Sequence, residues 1–228
     1  MSYPFNYPTP QNANVQIFNA GQNKGTQSWV KPQGASFVWF TLIGAGGAGD
    51  ATYGSGGSGA VTNCMMPAFL IPDELQVQVG KGGTSGGAGG NTLINYVSKG
   101  TYNLLTANGG SGGATSAGGV ASTSNYFSAA GFFQSVAGQA GVLATYTAST
   151  TTFLSGGTSA SAPVFNYGYT VNSASAGNGY FQMQPIIVGT SSCGNSSDSF
   201  KTGIGCGGSF GFSTGCIGGD GLVVIISW

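Results

Sequence analysis

The chain has 228 residues, enough for one β domain with a sizeable core or two small ones. Only 4% of its residues are charged, five lysines against five acids with neither arginine nor histidine, and the formal net charge is zero. That inventory excludes bidentate phosphate forks, a basic nucleic-acid patch, an imidazole base and a Ser-His-Asp triad.

The opening Met1-Ser2-Tyr3-Pro4-Phe5 has neither the basic n-region nor the apolar h-region of a signal peptide. The expectation is a chain made in a cytoplasm and not exported by the usual route. No run of 18 apolar residues exists, so no membrane-spanning helix and no membrane insertion are expected. Residues 1–13 are expected to form an extended arm, because proline favours extended backbone. Tyr3, Phe5 and Tyr7 are its docking residues, on this chain or a neighbour. A frayed terminus is the plainer alternative.

Residues 14–228 are expected to form a single domain. Val15 to Phe18 and Trp29-Val30 are short strands. Phe37 to Ile43 is the strongest strand, apolar on nearly both faces and so central and buried. Gly59 to Met66 follows, ended by Pro67. Leu75 to Val79 alternates, with Leu75, Val77 and Val79 inward and the glutamines outward. Leu222 to Ile226 is the last strand and also reads as buried on both faces. No helix of useful length is expected, because glycine and β-branched residues are too dense.

Between Gly80 and Gly119 glycines come in pairs. A flexible linker is one reading. The other is a packed bundle of polyproline-II-like segments, in which only glycine lets neighbours approach closely. Packing is favoured, because apolar segments recur on both sides of every tract. Residues 120–202 differ, being rich in Ser, Thr, Ala and aromatics, and read as an insertion or second lobe. Candidate strands there are Val142 to Thr147, Val164 to Val171 and Gly179 to Val188. Tyr126, Phe132, Phe133, Tyr146, Tyr167 and Tyr169 are the recognition candidates, since tyrosines among hydroxyl-rich neighbours suit stacking on sugars or on another protein.

The four cysteines, Cys64, Cys193, Cys206 and Cys216, show no C-x-x-C spacing and have no histidine to help them hold zinc. A disulfide among Cys193, Cys206 and Cys216 would staple the glycine-rich tail. Buried, reduced cysteines are the equal alternative. Gly44-Ala45-Gly46-Gly47-Ala48-Gly49 follows a strand but lacks the helix of a dinucleotide loop. Asp73-Glu74 reads as a turn. Asp50, Asp198 and Asp220 lack the Asp-x-Asp spacing of a calcium loop. Asn195-Ser196-Ser197 is a glycosylation sequon by pattern only. The expectation is a non-enzymatic protein with no cofactor and no metal.

Trp29-Val30-Lys31-Pro32-Gln33-Gly34-Ala35, then Phe37 to Ile43, then Gly44-Ala45-Gly46-Gly47, resembles the opening of glycine-rich domains in bacteriophage tail fibres and related virion proteins. Gly56-Gly57-Ser58-Gly59-Ala60-Val61 fits the next block, and Asp220 to Trp228 the closing strand. Pro72-Asp73-Glu74 departs from the usual Pro-Gly-Asp turn. A similar arrangement occurs in the glycine-rich extracellular region of anaplastic lymphoma kinase. The resemblance covers about residues 14–119 and 203–228, and residues 120–202 have no counterpart in it. It implies an all-β, jelly-roll-like β-sandwich with packed glycine segments and long loops. It also implies a virion structural protein made in the host cytoplasm, partnered by its own copies or other virion proteins, with host glycans or a receptor as outside contacts. A subunit of a cellular extracellular filament or surface layer, assembled through its arm, is the alternative.

Overall fold

A computed structural model describes residues 13–21, 25–50, 54–122, 132–141, 204–208 and 217–228. Its strands are β1 (Asn14–Asn19), β2 (Thr26–Val30), β3 (Phe37–Ile43), β4 (Val61–Pro67), β5 (Glu74–Gln78), β6 (Thr92–Val97), β7 (Thr101–Ala107), β8 (Phe132–Val136) and β9 (Leu222–Ser227). They form two antiparallel sheets, one ordered β1-β9-β3-β4-β8 and the other β2-β5-β6-β7. The fold is an all-β sandwich. Its one helical element among the described residues is a 3-10 turn at Ala68–Leu70.

Period-two alternation decides the core. Val38, Phe40 and Leu42 of β3 point between the sheets, beside Cys64 and Met66 of β4 and Val223 and Ile225 of β9. Trp29, Leu75, Val77, Ile94 and Leu105 meet them from the four-stranded sheet. Trp29 lies edge-on to Phe40, ring centroids 5.9 Å apart. Its indole N–H finds no partner among the described residues. The expected inward set Leu75, Val77 and Val79 is buried, and Gln78 is exposed.

β3 and β9 lie side by side in the interior of the five-stranded sheet, as their apolar runs require. Burial on both faces holds only near the glycine segments. There Ile43, Val61 and Leu222 are covered on the outer side by Ile204. Toward the other end the outer face opens: Phe37 is exposed, and Trp39, Val224 and Ile226 are half-buried.

Two strands arise where only glycine pairs were anticipated. β6 and β7 form a hairpin whose ladder shifts register at Ile94/Asn95. The fourth strand starts at Val61 rather than Gly59, because Gly59 and Ala60 belong to a glycine segment. The strands expected at 142–147, 164–171 and 179–188 lie outside the described residues. The last residue is locked to the start of β3: Ser36 and Phe37 N–H donate to the Trp228 carbonyl at 2.6 and 3.0 Å, and Trp228 N–H donates back to Phe37 O.

Candidate functional site

The glycine tracts pair with one another by a rule. In segment 44–48, Gly44 and Gly47 donate to Ala60 and Gly57 of one neighbour; Ala45 and Ala48 donate to Gly90 and Gly87 of a second; Gly46 donates to Gly219 of a third. Every third residue therefore bonds the same neighbour, which is the period of a polyproline-II helix. The carbonyls of the same segment accept from Gly83, Gly110, Gly113 and Gly208. Segment 44–48 thus sits among six others, near residues 57–60, 80–83, 87–90, 108–113, 205–208 and 217–221. A polyproline-II helix makes no internal hydrogen bonds, so its backbone groups are satisfied only by neighbours or water. The bundle supplies those neighbours.

Close approach makes glycine obligatory. A Cβ at Gly46 would run into the Cys206 carbonyl, one at Gly47 into that of Ser111, and one at Gly59 into that of Gly44. The packed reading of the tracts is therefore the correct one for the described segments. Between Gly80 and Gly119 they are interrupted by the β6–β7 hairpin.

A few polar side chains key the bundle to the sandwich. Thr92, wholly buried, donates through Oγ1 to Ile43 O at 2.7 Å and accepts from Gly80 N–H at 3.1 Å. Asp220 Oδ1 accepts from Gly82 N–H at 2.9 Å, and Asn91 Oδ1 accepts from Gly109 N–H at 2.9 Å. Lys31 holds the opposite end of the sandwich: its Nζ meets Asp73 at 2.8 Å and donates to Ala68 O and Ile71 O. These carboxylates and amides do structural work on the backbone. No group of three His, Cys, Asp or Glu residues gathers among the described residues.

The second feature is the outer face of the five-stranded sheet. Cross-strand register aligns Val15, Ile226, Trp39, Met65 and Phe132 in one row across all five strands. Val15 and Ile17 are 55% and 65% exposed, and Phe132 is 45% exposed and stacked on Trp39 with centroids 5.9 Å apart. Phe37 and Trp228 stack at 6.0 Å beside the row. Trp39 Nε1 donates to Thr41 Oγ1, which donates to Asn63 Oδ1, each at 2.9 Å. That polar pair marks the boundary between the open and covered halves.

The residues singled out from sequence distribute unevenly. Phe132 lies on the open face. Phe133, one residue on, faces inward and packs against the core. Tyr3, Phe5, Tyr7, Tyr126, Tyr146, Tyr167, Tyr169, Asp198, Cys193 and Cys216 lie outside the described residues. Cys206 is buried within the bundle, with its carbonyl accepting from Gly219 N–H. Cys64 is a buried thiol of the core, and burial pushes its pKa up to about 12. Sequence reasoning missed Val15, Ile17, Trp39, Met65, Ile226 and Trp228 as surface residues. A run apolar on both faces reads as buried on both, and no local signal says otherwise.

A family model described as a glycine-rich domain matches residues 21–228. No curated protein matches the sequence.

Proposed function

The chain belongs to the glycine-rich domain family, and on that premise we propose that it is a non-enzymatic structural protein of a virus particle. It self-assembles or decorates a capsid or fibre, and presents loops to a host surface or to other coat proteins. The observation that carries this reading is the bundle itself, in which the chain's backbone groups are spent on holding glycine segments together. The motifs flanking those segments, Trp29 to Gly47 and Asp220 to Trp228, are the ones that resemble tail-fibre domains. Near-zero net charge fits a protein that stays assembled, since little repulsion separates copies. Outside contacts fall to the aromatic, hydroxyl-rich region 120–187 and to the glycine loops, because loops carry recognition where a scaffold carries stability.

Immunogold labelling tests the assignment. Antibody raised against the purified chain is expected to decorate virus particles. Label on cellular filaments or on a surface layer would replace the viral reading with the filament one. Recognition is tested separately by exchanging residues 120–187 between two related particles: partner binding is expected to travel with the segment.

A further inference from the structure

β1 is an edge strand. It pairs with β9 alone among the described residues, and its second row of backbone N–H and C=O groups faces no described strand. Natural edges are blunted by charge, proline, bulges or covering segments. β1, Asn14 to Asn19, has no charge and no proline, and its register with β9 runs unbroken. The other edges differ. β2 runs straight into Lys31-Pro32. The ladder of β7 carries a bulge. β8 is bordered by Ser122, whose N–H donates to Ser135 Oγ. On the outer side of β1, Val15 continues the apolar row of the sheet, and Ile17 lies beside Val224 in the next row.

Thirteen residues precede this edge, and the sequence of the first twelve is complementary to it. In an extended strand, alternate side chains share a face and alternate N–H groups share an edge. Tyr3, Phe5 and Tyr7 have one parity, so they make one aromatic face. Pro4, Pro8 and Pro10 have the other parity, so all three missing N–H groups fall on the same edge. The N–H groups of Tyr3, Phe5, Tyr7 and Thr9 then line the opposite edge, free to pair. Such a strand can add to a sheet on one side and ends it on the other, where proline is tolerated.

We infer that the open edge of β1 receives residues 1–12 of the N-terminal arm of a second copy of this chain. The arm adds as a strand, with its aromatic side over Val15 and Ile17. This deepens, and rests on, the proposal that the chain assembles. A second copy is favoured over the arm's own β1 by the absence of a turn. Folding back needs a tight reversal at residues 10–13, and the favoured two-residue hairpin turns (Asn-Gly, Asp-Gly, Gly-Gly or Gly-X) all carry a glycine, which Gln11-Asn12 and Asn12-Ala13 lack. The chain has 44 glycines, yet none in its first twenty residues. Continued extended, twelve residues reach roughly 40 Å beyond β1 at ~3.3 Å each, far enough to meet a neighbour.

Sedimentation of the full chain, with folding checked by circular dichroism, tests the inference. The full chain is expected to self-associate. Deleting residues 1–12, the triple change Tyr3→Ser, Phe5→Ser, Tyr7→Ser, and Ile17→Lys should each weaken association at least tenfold. Tyr102→Lys, on the other sheet, should leave it unchanged. A synthetic peptide of residues 1–12 should bind the deleted protein and lose that binding when Ile17 is also Lys. A full chain that associates equally well in all variants overturns the inference while leaving the assembly proposal standing. A full chain that stays monomeric at every concentration overturns both. A monomer whose arm resists proteolysis, and becomes sensitive with Ile17→Lys, places the arm on its own β1 and overturns the choice of partner.

Discussion

At the scale of single residues, the glycines divide into two kinds that look alike in sequence. Gly46 and Gly59 have backbone carbonyls where a Cβ would go, whereas among the described residues nothing approaches that position at Gly25 or Gly100. A carbonyl held in the lattice cannot move without breaking its neighbour's bonds. Gly46→Ala and Gly59→Ala are therefore expected to destabilise by more than about 4 kcal/mol, the range of severe core lesions, while Gly25→Ala and Gly100→Ala stay within about 0.5 kcal/mol. Chemical denaturation of the four variants checks this, and similar losses at all four would mean the bundle is not close-packed. Cys64 gives a second residue-scale test. Burial raises its pKa from 9.0 to about 12 because the thiolate loses its hydration. The unfolded thiol ionises near pH 9 and the folded one does not, so the stability held below pH 9 is lost as pH climbs toward 12. The slope expected from this group is a loss of about 1.4 kcal/mol per pH unit between those values. Cys64→Ala should remove that slope from a stability series above pH 9. A thiol reagent at pH 8 should also leave Cys64 unmodified in the native protein, and rapid modification would show that the site is open.

At the scale of elements, the sequence was legible where local rules and tertiary placement agree. β3, β5 and β9 announce themselves by β-branched and aromatic residues at the right period, and the motif glycines of 44–49 and 56–59 mark where each strand hands over to the bundle. β6 and β7 were not legible. β6 buries Thr92 and Asn95, two polar residues, and its register shifts at Ile94/Asn95. Both facts erase the alternation that signals a strand. The glycine pairs on either side then pull the whole stretch toward a single tract. The open face was illegible for the opposite reason: Trp39, Val224 and Ile226 are as apolar as the core residues beside them. Cross-strand register, which decides which of them share a row, is not a local property. Thr92 shows what the missed strand contributes. Its one hydroxyl joins Ile43 O to Gly80 N–H, tying β6 to the end of β3 and to the start of a glycine segment. Thr92→Val keeps the volume and the β-branch but leaves a buried donor and a buried acceptor unpaired. The expected cost is about 1–3 kcal/mol for an orphaned buried polar group, read from thermal unfolding. A neutral result would mean that water reaches this junction.

At the scale of the whole molecule, the chain is closed by its last residues. Residues 217–228 supply both a lattice segment and a strand. Gly218, Gly219 and Gly221 bond Gly83, Cys206 and Gly80, and Gly46 donates to Gly219. β9 then inserts between β1 and β3, bringing Val223 and Ile225 into the core. Until this segment arrives, β1 has no described partner and β3 lacks one side. The glycine bundle also loses one neighbour of its central segment. Such closure joins residues far apart in sequence, so the native contacts form late and together, and slow, cooperative folding follows. The two chain ends should therefore respond very differently to truncation. Removing residues 1–12, which precede the first strand, should leave the cooperative melting of an isolated domain intact to within about 1 kcal/mol, the scale of changes away from core contacts. Removing residues 217–228 strips buried Leu222, Val223 and Ile225 at about 2–5 kcal/mol for each truncated aliphatic side chain, and removes the ladders on both sides of β9 as well. Those losses together exceed the 5–15 kcal/mol by which a native domain is typically stable. The shortened chain is expected to show no cooperative melting transition by circular dichroism and no fixed aromatic signal from Trp29 and Phe40. A sharp transition in that variant would show that the sandwich stands without its closing strand and that the bundle, not β9, holds β3 in place.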